Sequence, residues 1–211
     1  TEKAQLAIDD AVRSPASPVF LKLTGTTQAR SVLEAMTAHS DNTATDVALA
    51  AAGAAQVRAL IAAAGLKDTL IPDSTRRLIS YLAGAPEGVD IGWDGVLRVE
   101  KGDMPGTPRN PMNDKQTMVS TAEDLVRWYQ QALRGAFFNK PPTLAEFKRI
   151  QAMADAIAMT VPPDTVAYGK GGSIDWEGFH CLAFAGQMIV AKVPVTFCLT
   201  VNWSGPNDKV A

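Results

Sequence analysis

The chain has 211 residues, 46% hydrophobic and 20% charged, with a formal net charge of −2. That length carries one sizeable core, and 1–211 reads as a single domain. The weak negative balance excludes the basic footprint of a nucleic-acid binder and the basic face of a membrane-surface protein.

The longest apolar stretch, 47–55, is interrupted by Gly53 and is too short to span a bilayer. The two cysteines, Cys181 and Cys198, and the two histidines, His39 and His180, are too few for a disulfide framework or a histidine-rich metal site. Neither a metal nor a cofactor is expected. Each cysteine lies in an apolar run, which fits two buried thiols or one bridge between neighbouring strands. Thr1-Glu2-Lys3 has no initiator Met and no signal-like pattern after it, so the chain reads as beginning inside a longer protein.

Residues 1–26 are mixed, with Pro15 and Pro18 breaking any long helix. From Thr27 to Ala38, apolar Ala29, Val32, Leu33 and Met36 follow helical spacing, and Thr26 or Thr27 can cap the start. Thr43 to Ala52 reads as an Ala-rich helix. Ala55 to Ala64 reads as another, closed by Gly65 in the left-handed position. The stretch 68–118 is rich in Gly and Pro and reads as a long loop with short elements.

Ser120-Thr121-Ala122-Glu123-Asp124 opens a helix with capping-box chemistry, and Leu125, Trp128, Tyr129, Ala132 and Leu133 form its buried stripe. Pro141-Pro142 starts one further helix, carried through Ile157 and ended by Pro162-Pro163. Thr165–Lys170, Phe179–Ala191 and Val195–Trp203 read as strands. Helices through 27–164 followed by strands through 165–205 imply an α/β (α+β) domain with antiparallel sheet.

Two constellations carry chemistry. Ser40-Asp41-Asn42 falls between two helices and is followed by Thr43-Ala44-Thr45-Asp46, which places short polar side chains on a rigid turn. Alone, the triplet fits a plain helix cap equally well. Tyr168-Gly169-Lys170-Gly171-Gly172-Ser173 ends a strand on a lysine and continues with glycines that let a ligand lie against the backbone. Alone, it fits a glycine-rich bend with a solvated lysine. The P-loop spacing is absent.

Together and in this order, the two segments resemble the serine β-lactamase and penicillin-binding-protein superfamily, whose signature is S-x-x-K, then S-D-N, then K-T-G on a strand. Ser40-Asp41-Asn42 matches the second motif fully, and Lys170-Gly171-Gly172 matches the third in two of three positions. Val119 to Leu125 resembles the helix start between them. The resemblance covers roughly 25–205.

It implies a helical part packed on a mostly antiparallel five-stranded sheet, with N- and C-terminal pieces outside this chain. It also implies acyl transfer through a serine ester, on β-lactams, small esters or D-alanyl peptides. Ser40 would relay a proton to the leaving group, Asn42 would hold a substrate amide, and Lys170 would supply positive potential. Gly172 would leave room for substrate, and the Ser173 backbone N–H would form half of an oxyanion hole.

The chain departs from the pattern in three places. No lysine has a serine three residues before it, so the nucleophile is expected outside the chain. Gly171 stands where the family has a hydroxyl that grips a substrate carboxylate, and Ser173 is the nearest replacement. No E-x-x-L-N glutamate, the deacylating base of class A β-lactamases, lies between Asp68 and Lys115. Weak β-lactam turnover is therefore expected. A sensor or scaffold that binds β-lactams or peptides without turnover is the alternative. The family is periplasmic or secreted by default, and a variant from an antibiotic biosynthesis cluster would be cytoplasmic. His39 is expected to be a partly buried capping residue and His180 to be structural.

Overall fold

The computed structural model describes residues 3–206. The elements are β1 (Gln5–Ile8), β2 (Gly25–Gln28), α1 (Ala29–Ala38), α2 (Asn42–Ala52), α3 (Ala54–Ala63), α4 (Thr75–Leu82), α5 (Gly92–Val99), α6 (Ala122–Arg134), α7 (Pro141–Gln151), α8 (Asp155–Thr160), β3 (Ala167–Trp176), β4 (Phe179–Val190) and β5 (Val193–Ser204). The fold is α+β with antiparallel sheet, as the sequence implies. Among the described residues the five strands fall into two sheets, β1-β2 and β3-β4-β5.

By contacts the chain forms two compact units, Thr1–Leu60 with Leu70–Val119, and Ile61–Thr69 with Ser120–Ala211. The helices from residue 122 onward thus group with the strands and not with the earlier helices.

In the first unit, β1 and β2 pair from Gln5↔Gln28 to Ile8↔Gly25. Thr26 and Thr27, expected as helix caps, are strand residues, and Gln28 precedes α1 without a side-chain cap. Their β-branched side chains suit the extended backbone better than a helix start. Ile8, Phe20, Val32, Ala35, Ala44 and Val47 form the core; of the apolar positions marked on α1, Val32 is buried and Met36 packs against this cluster, while Ala29 and Leu33 are half-buried.

Gly53, at φ 84°, separates α2 from α3, and the two helices are bent by 82°. No single described helix is long and apolar enough to cross a membrane. The expected long loop 68–118 contains two eight-residue helices, α4 and α5, which bury Leu78, Leu82, Val96 and Val99. Periodicity over so few turns is hidden by the surrounding Gly and Pro.

Two devices hold this segment. A Cβ on Gly84 would lie 2.3 Å from the Gly106 carbonyl carbon, so only glycine allows the backbones to meet there. The buried Arg76 guanidinium donates to the carbonyls of Asp10 (2.6 Å), Ala11 (2.6 Å) and Arg13 (3.1 Å), and grips both Asp90 carboxylate oxygens.

In the second unit, α6 packs Tyr129 and Leu133 on Ala185 of β4, with Leu125, Trp128, Phe147, Tyr168 and Cys198 around them. Thr121 caps α6 by accepting from Asp124 N at 3.2 Å. The Asp124 carboxylate does not complete the capping box. It accepts instead from Asp68 N (2.8 Å) and Thr69 Oγ1 (2.9 Å), tying 61–69 to the helix start.

The single helix expected from Pro141 to Ile157 is two, α7 and α8. The extended backbone of Ala154 (ψ 124°) interrupts it, because the intervening Ala152 and Met153 supply no buried stripe. β4 and β5 hold Cys181 opposite Asn202 and Cys198 opposite Ala185. Four rungs at about 3.3 Å each keep the thiols apart, and both cysteines are free.

Candidate active site

The Ser40-Asp41-Asn42 turn belongs to the first unit. Asp41 is fully buried and ends the chain's extended step into α2. Its carboxylate accepts three backbone N–H groups: Ala44 at 2.7 Å, Val19 at 2.8 Å and Phe20 at 2.8 Å. One carboxylate therefore caps the helix and holds the 14–20 segment beside it.

More bonds knit the same seam. Thr43 N donates to Ser17 Oγ (2.8 Å), Ser14 N donates to Thr43 Oγ1 (3.0 Å), and Asn42 Nδ2 donates to the Pro15 carbonyl (2.9 Å). The Asp46 carboxylate, one turn along α2, accepts from Ser14 Oγ (2.5 Å) and from Thr75 N (2.6 Å) at the start of α4.

Braced in this way, Ser40 sits in the left-handed region at φ 54° with its side chain exposed. A non-glycine residue accepts that backbone only where its surroundings enforce it. Asn42 is half-buried. With its Nδ2 spent on Pro15, its Oδ1 is the atom suited to accept an N–H from a ligand. His39, expected to be partly buried, is exposed after α1. The 14–20 segment is the partner that the sequence reading missed. Its Ser-Pro-rich composition suggested only a break, and the bonds that fix it span more than twenty residues.

Lys170, Gly172 and Ser173 belong to the second unit and all lie on β3. The expected end of the strand at Lys170 is not found. β3 runs through the glycines to Trp176, pairing Lys170↔Ala185, Gly171↔Phe184, Gly172↔Ala183 and Ser173↔Leu182. β3 is also an edge of its sheet among the described residues. Alternation puts Lys170 and Gly172 on the face that α6 covers, and Gly171 and Ser173 on the other.

A Cβ on Gly172 would meet nothing within 4 Å, so open space lies over the strand there. A Cβ on Gly171 would lie 2.5 Å from the Ala156 Cβ of α8. That contact explains the missing hydroxyl: Thr or Ser does not fit unless α8 moves. Ser173 shares the face of Gly171, but two residues along, about 7 Å away.

The Lys170 ammonium donates to the Gly171 carbonyl, so it lies along the strand beside the glycines. Burial pushes its pKa below the ordinary lysine value, and the Asp155 carboxylate opposes that shift. His180, as expected, is structural. It is buried, stacked on Trp203 and bonded to the Gly205 carbonyl. Among the described residues no group of three or more His, Cys, Asp or Glu is placed to hold a metal ion.

Residues 2–186 match the model of the β-lactamase enzyme family. The chain belongs to that family. Its fold is shared with solved structures at low identity. One is a β-lactamase from Chitinophaga pinensis, with TM-score 0.70 and 17% identity over 97% of this chain and 68% of that one. A second is a mutant of PBP-A in an acyl-enzyme complex with penicillin G, with TM-score 0.67 and 17% identity over 99% of this chain and 66% of that one. A third is a class A β-lactamase from Bacteroides cellulosilyticus, with TM-score 0.67 and 18% identity over 97% of this chain and 67% of that one. The chain thus spans about two thirds of the length of these three proteins. No curated protein matches it.

Proposed function

We propose that the complete protein is a β-lactamase-like serine hydrolase or acyltransferase that works through an acyl-serine intermediate. The observation that carries this reading is the Ser40 turn: a hydroxyl held outward on a left-handed residue by a fully buried carboxylate with three N–H donors. A bond network of this kind fixes a reacting group to within the tolerance that proton transfer needs. The glycine-lined strand at 169–172 and membership of the family support the same reading.

In this mechanism Ser40 passes a proton to the leaving nitrogen or oxygen, since a hydroxyl both donates and accepts. Asn42 Oδ1 accepts the N–H of a substrate amide. Lys170 supplies positive potential beside the strand; burial lowers its pKa and Asp155 opposes that shift. The Ser173 N–H serves as one donor of an oxyanion hole. The nucleophile is a serine in a Ser-x-x-Lys setting, which no residue of this chain supplies. Substrates are small esters, D-alanyl peptides or β-lactams, with slow release of β-lactam acyl groups for want of an E-x-x-L-N glutamate.

The test is intact-mass spectrometry of the complete protein after exposure to a penicillin and to an activated ester. An acyl adduct on serine that turns over supports the enzyme. Saturable binding without any adduct would instead make the protein a sensor or scaffold.

A further inference from the structure

We infer that Asp155 and Ala156, at the start of α8, are specificity-determining residues that turn the Lys170-Gly171 strand away from carboxylate-bearing ligands and toward neutral acyl donors. This rests on the acyl-serine reading above and names its substrate class.

Three features of α8 and β3 bear on this stretch of the second unit. The first is steric. Ala156 Cβ stands 2.5 Å from where a Cβ on Gly171 would be, so the strand has no hydroxyl at this position and no room for one. The second is the position of the lysine. Its ammonium donates to the Gly171 carbonyl and so lies beside that same glycine. The third is charge. Asp155 immediately precedes Ala156 and acts electrostatically on Lys170.

A ligand carboxylate at this strand would look for a hydroxyl donor and an uncompensated cation. It finds neither, because α8 fills the first position and sets a carboxylate against the second. The Asp155 charge opposes a ligand carboxylate there. A neutral ester asks only for the backbone and the open space over Gly172. The departure of Gly171 from the family's threonine is therefore one half of a pair, and Ala156 is the other. Neither is restored by changing one residue alone.

The experiment compares benzylpenicillin with its methyl ester, which differ in the free carboxylate. Acylation rates of the complete protein are followed by intact mass for the unmodified protein, D155N, G171T and the double variant A156G/G171T. Thermal melting checks the fold of each. Asp155 is exposed, so D155N removes the charge while keeping the shape. The unmodified protein is expected to acylate with both compounds at rates within about threefold. D155N is expected to shift the acid-to-ester ratio toward the acid by about two- to fivefold. G171T alone is expected to lower the melting temperature, while A156G/G171T melts normally and shifts the ratio in the same direction as D155N. A folded D155N with an unchanged ratio would overturn this inference, as would an unmodified protein that prefers the free acid by about a hundredfold. Absence of acylation by either compound in every variant would instead remove the acyl-serine reading itself.

Discussion

Asp41→Ala tests the bracing of the Ser40 turn. The Asp41 side chain has no exposed surface and accepts from Ala44 N, Val19 N and Phe20 N at 2.7–2.8 Å. Its removal deletes a helix cap, typically about 1 kcal/mol, and strands two further N–H donors that bonded to a charged oxygen, each about 1.5–3 kcal/mol. The expected loss is about 3–5 kcal/mol, short of the simple total because the 14–20 segment can relax and admit water. Asp41→Asn keeps one oxygen for Val19 and Phe20 and loses the Ala44 bond, for about 1–2 kcal/mol. Urea unfolding of the three proteins, analysed by linear extrapolation, measures both differences. A loss below about 1 kcal/mol for Asp41→Ala, or equal losses for the two variants, would refute the reasoning.

Three further outcomes are expected. Ser40→Gly relieves the left-handed backbone at φ 54° and should raise stability by up to about 1 kcal/mol, while slowing acylation about 10²–10⁴-fold, as Ser40→Ala does without the gain in stability. Melting curves and acylation rates separate the two effects. Arg76→Ala should cost about 3–5 kcal/mol in urea unfolding, and Arg76→Lys should recover only part, because an ammonium cannot span Asp90 and three carbonyls at once.

The last concerns acid. Arg58 and Gln116 hydrogen bonds hold Asp73 below its ordinary value of 3.8. At Asp90 burial pushes upward but is outweighed by Arg76 and the Gly92 N–H, so it too lies below 3.8. Groups depressed in the folded state stabilise it fully above the ordinary value and lose that contribution as pH falls through the lower folded one. Urea midpoints should therefore drop below about pH 4, and less steeply in Asp90→Asn than in the unmodified protein.

Much of this fold is legible in the sequence because its signals are local. Val32 on α1 and Tyr129, Ala132 and Leu133 on α6 follow helical spacing and are buried as that spacing requires. Gly65, placed as a left-handed cap, has φ 71°. The Val- and Phe-rich runs after 165 are strands within two or three residues at most ends. What was hidden depends on distant partners. β1 and β2 are four residues each and exist by pairing with one another, so neither shows a pattern alone. α4 and α5 are short helices set among Gly and Pro, and long-range anchors such as Arg76 fix them in place.

The candidate residues divide in the same way. Ser40, Asn42, Lys170, Gly172 and Ser173 could be named from motif order. The bonds from Asp41 to Val19 and Phe20, and the contact of Ala156 with Gly171, could not. Nothing in Gly171's neighbours along the chain marks an earlier helix as the reason for its missing side chain. A strand through Lys-Gly-Gly was likewise masked, because glycine is a poor strand former taken alone, while pairing with β4 holds it extended.

The most direct test of the acyl-serine reading is peptide-level mass spectrometry of the complete protein after a penicillin and an activated ester, beside the Ser40→Ala variant. The account predicts one acylated serine, in a Ser-x-x-Lys setting, formed about 10²–10⁴-fold more slowly without the Ser40 hydroxyl. Acylation at any other residue, or at an unchanged rate in Ser40→Ala, would contradict it.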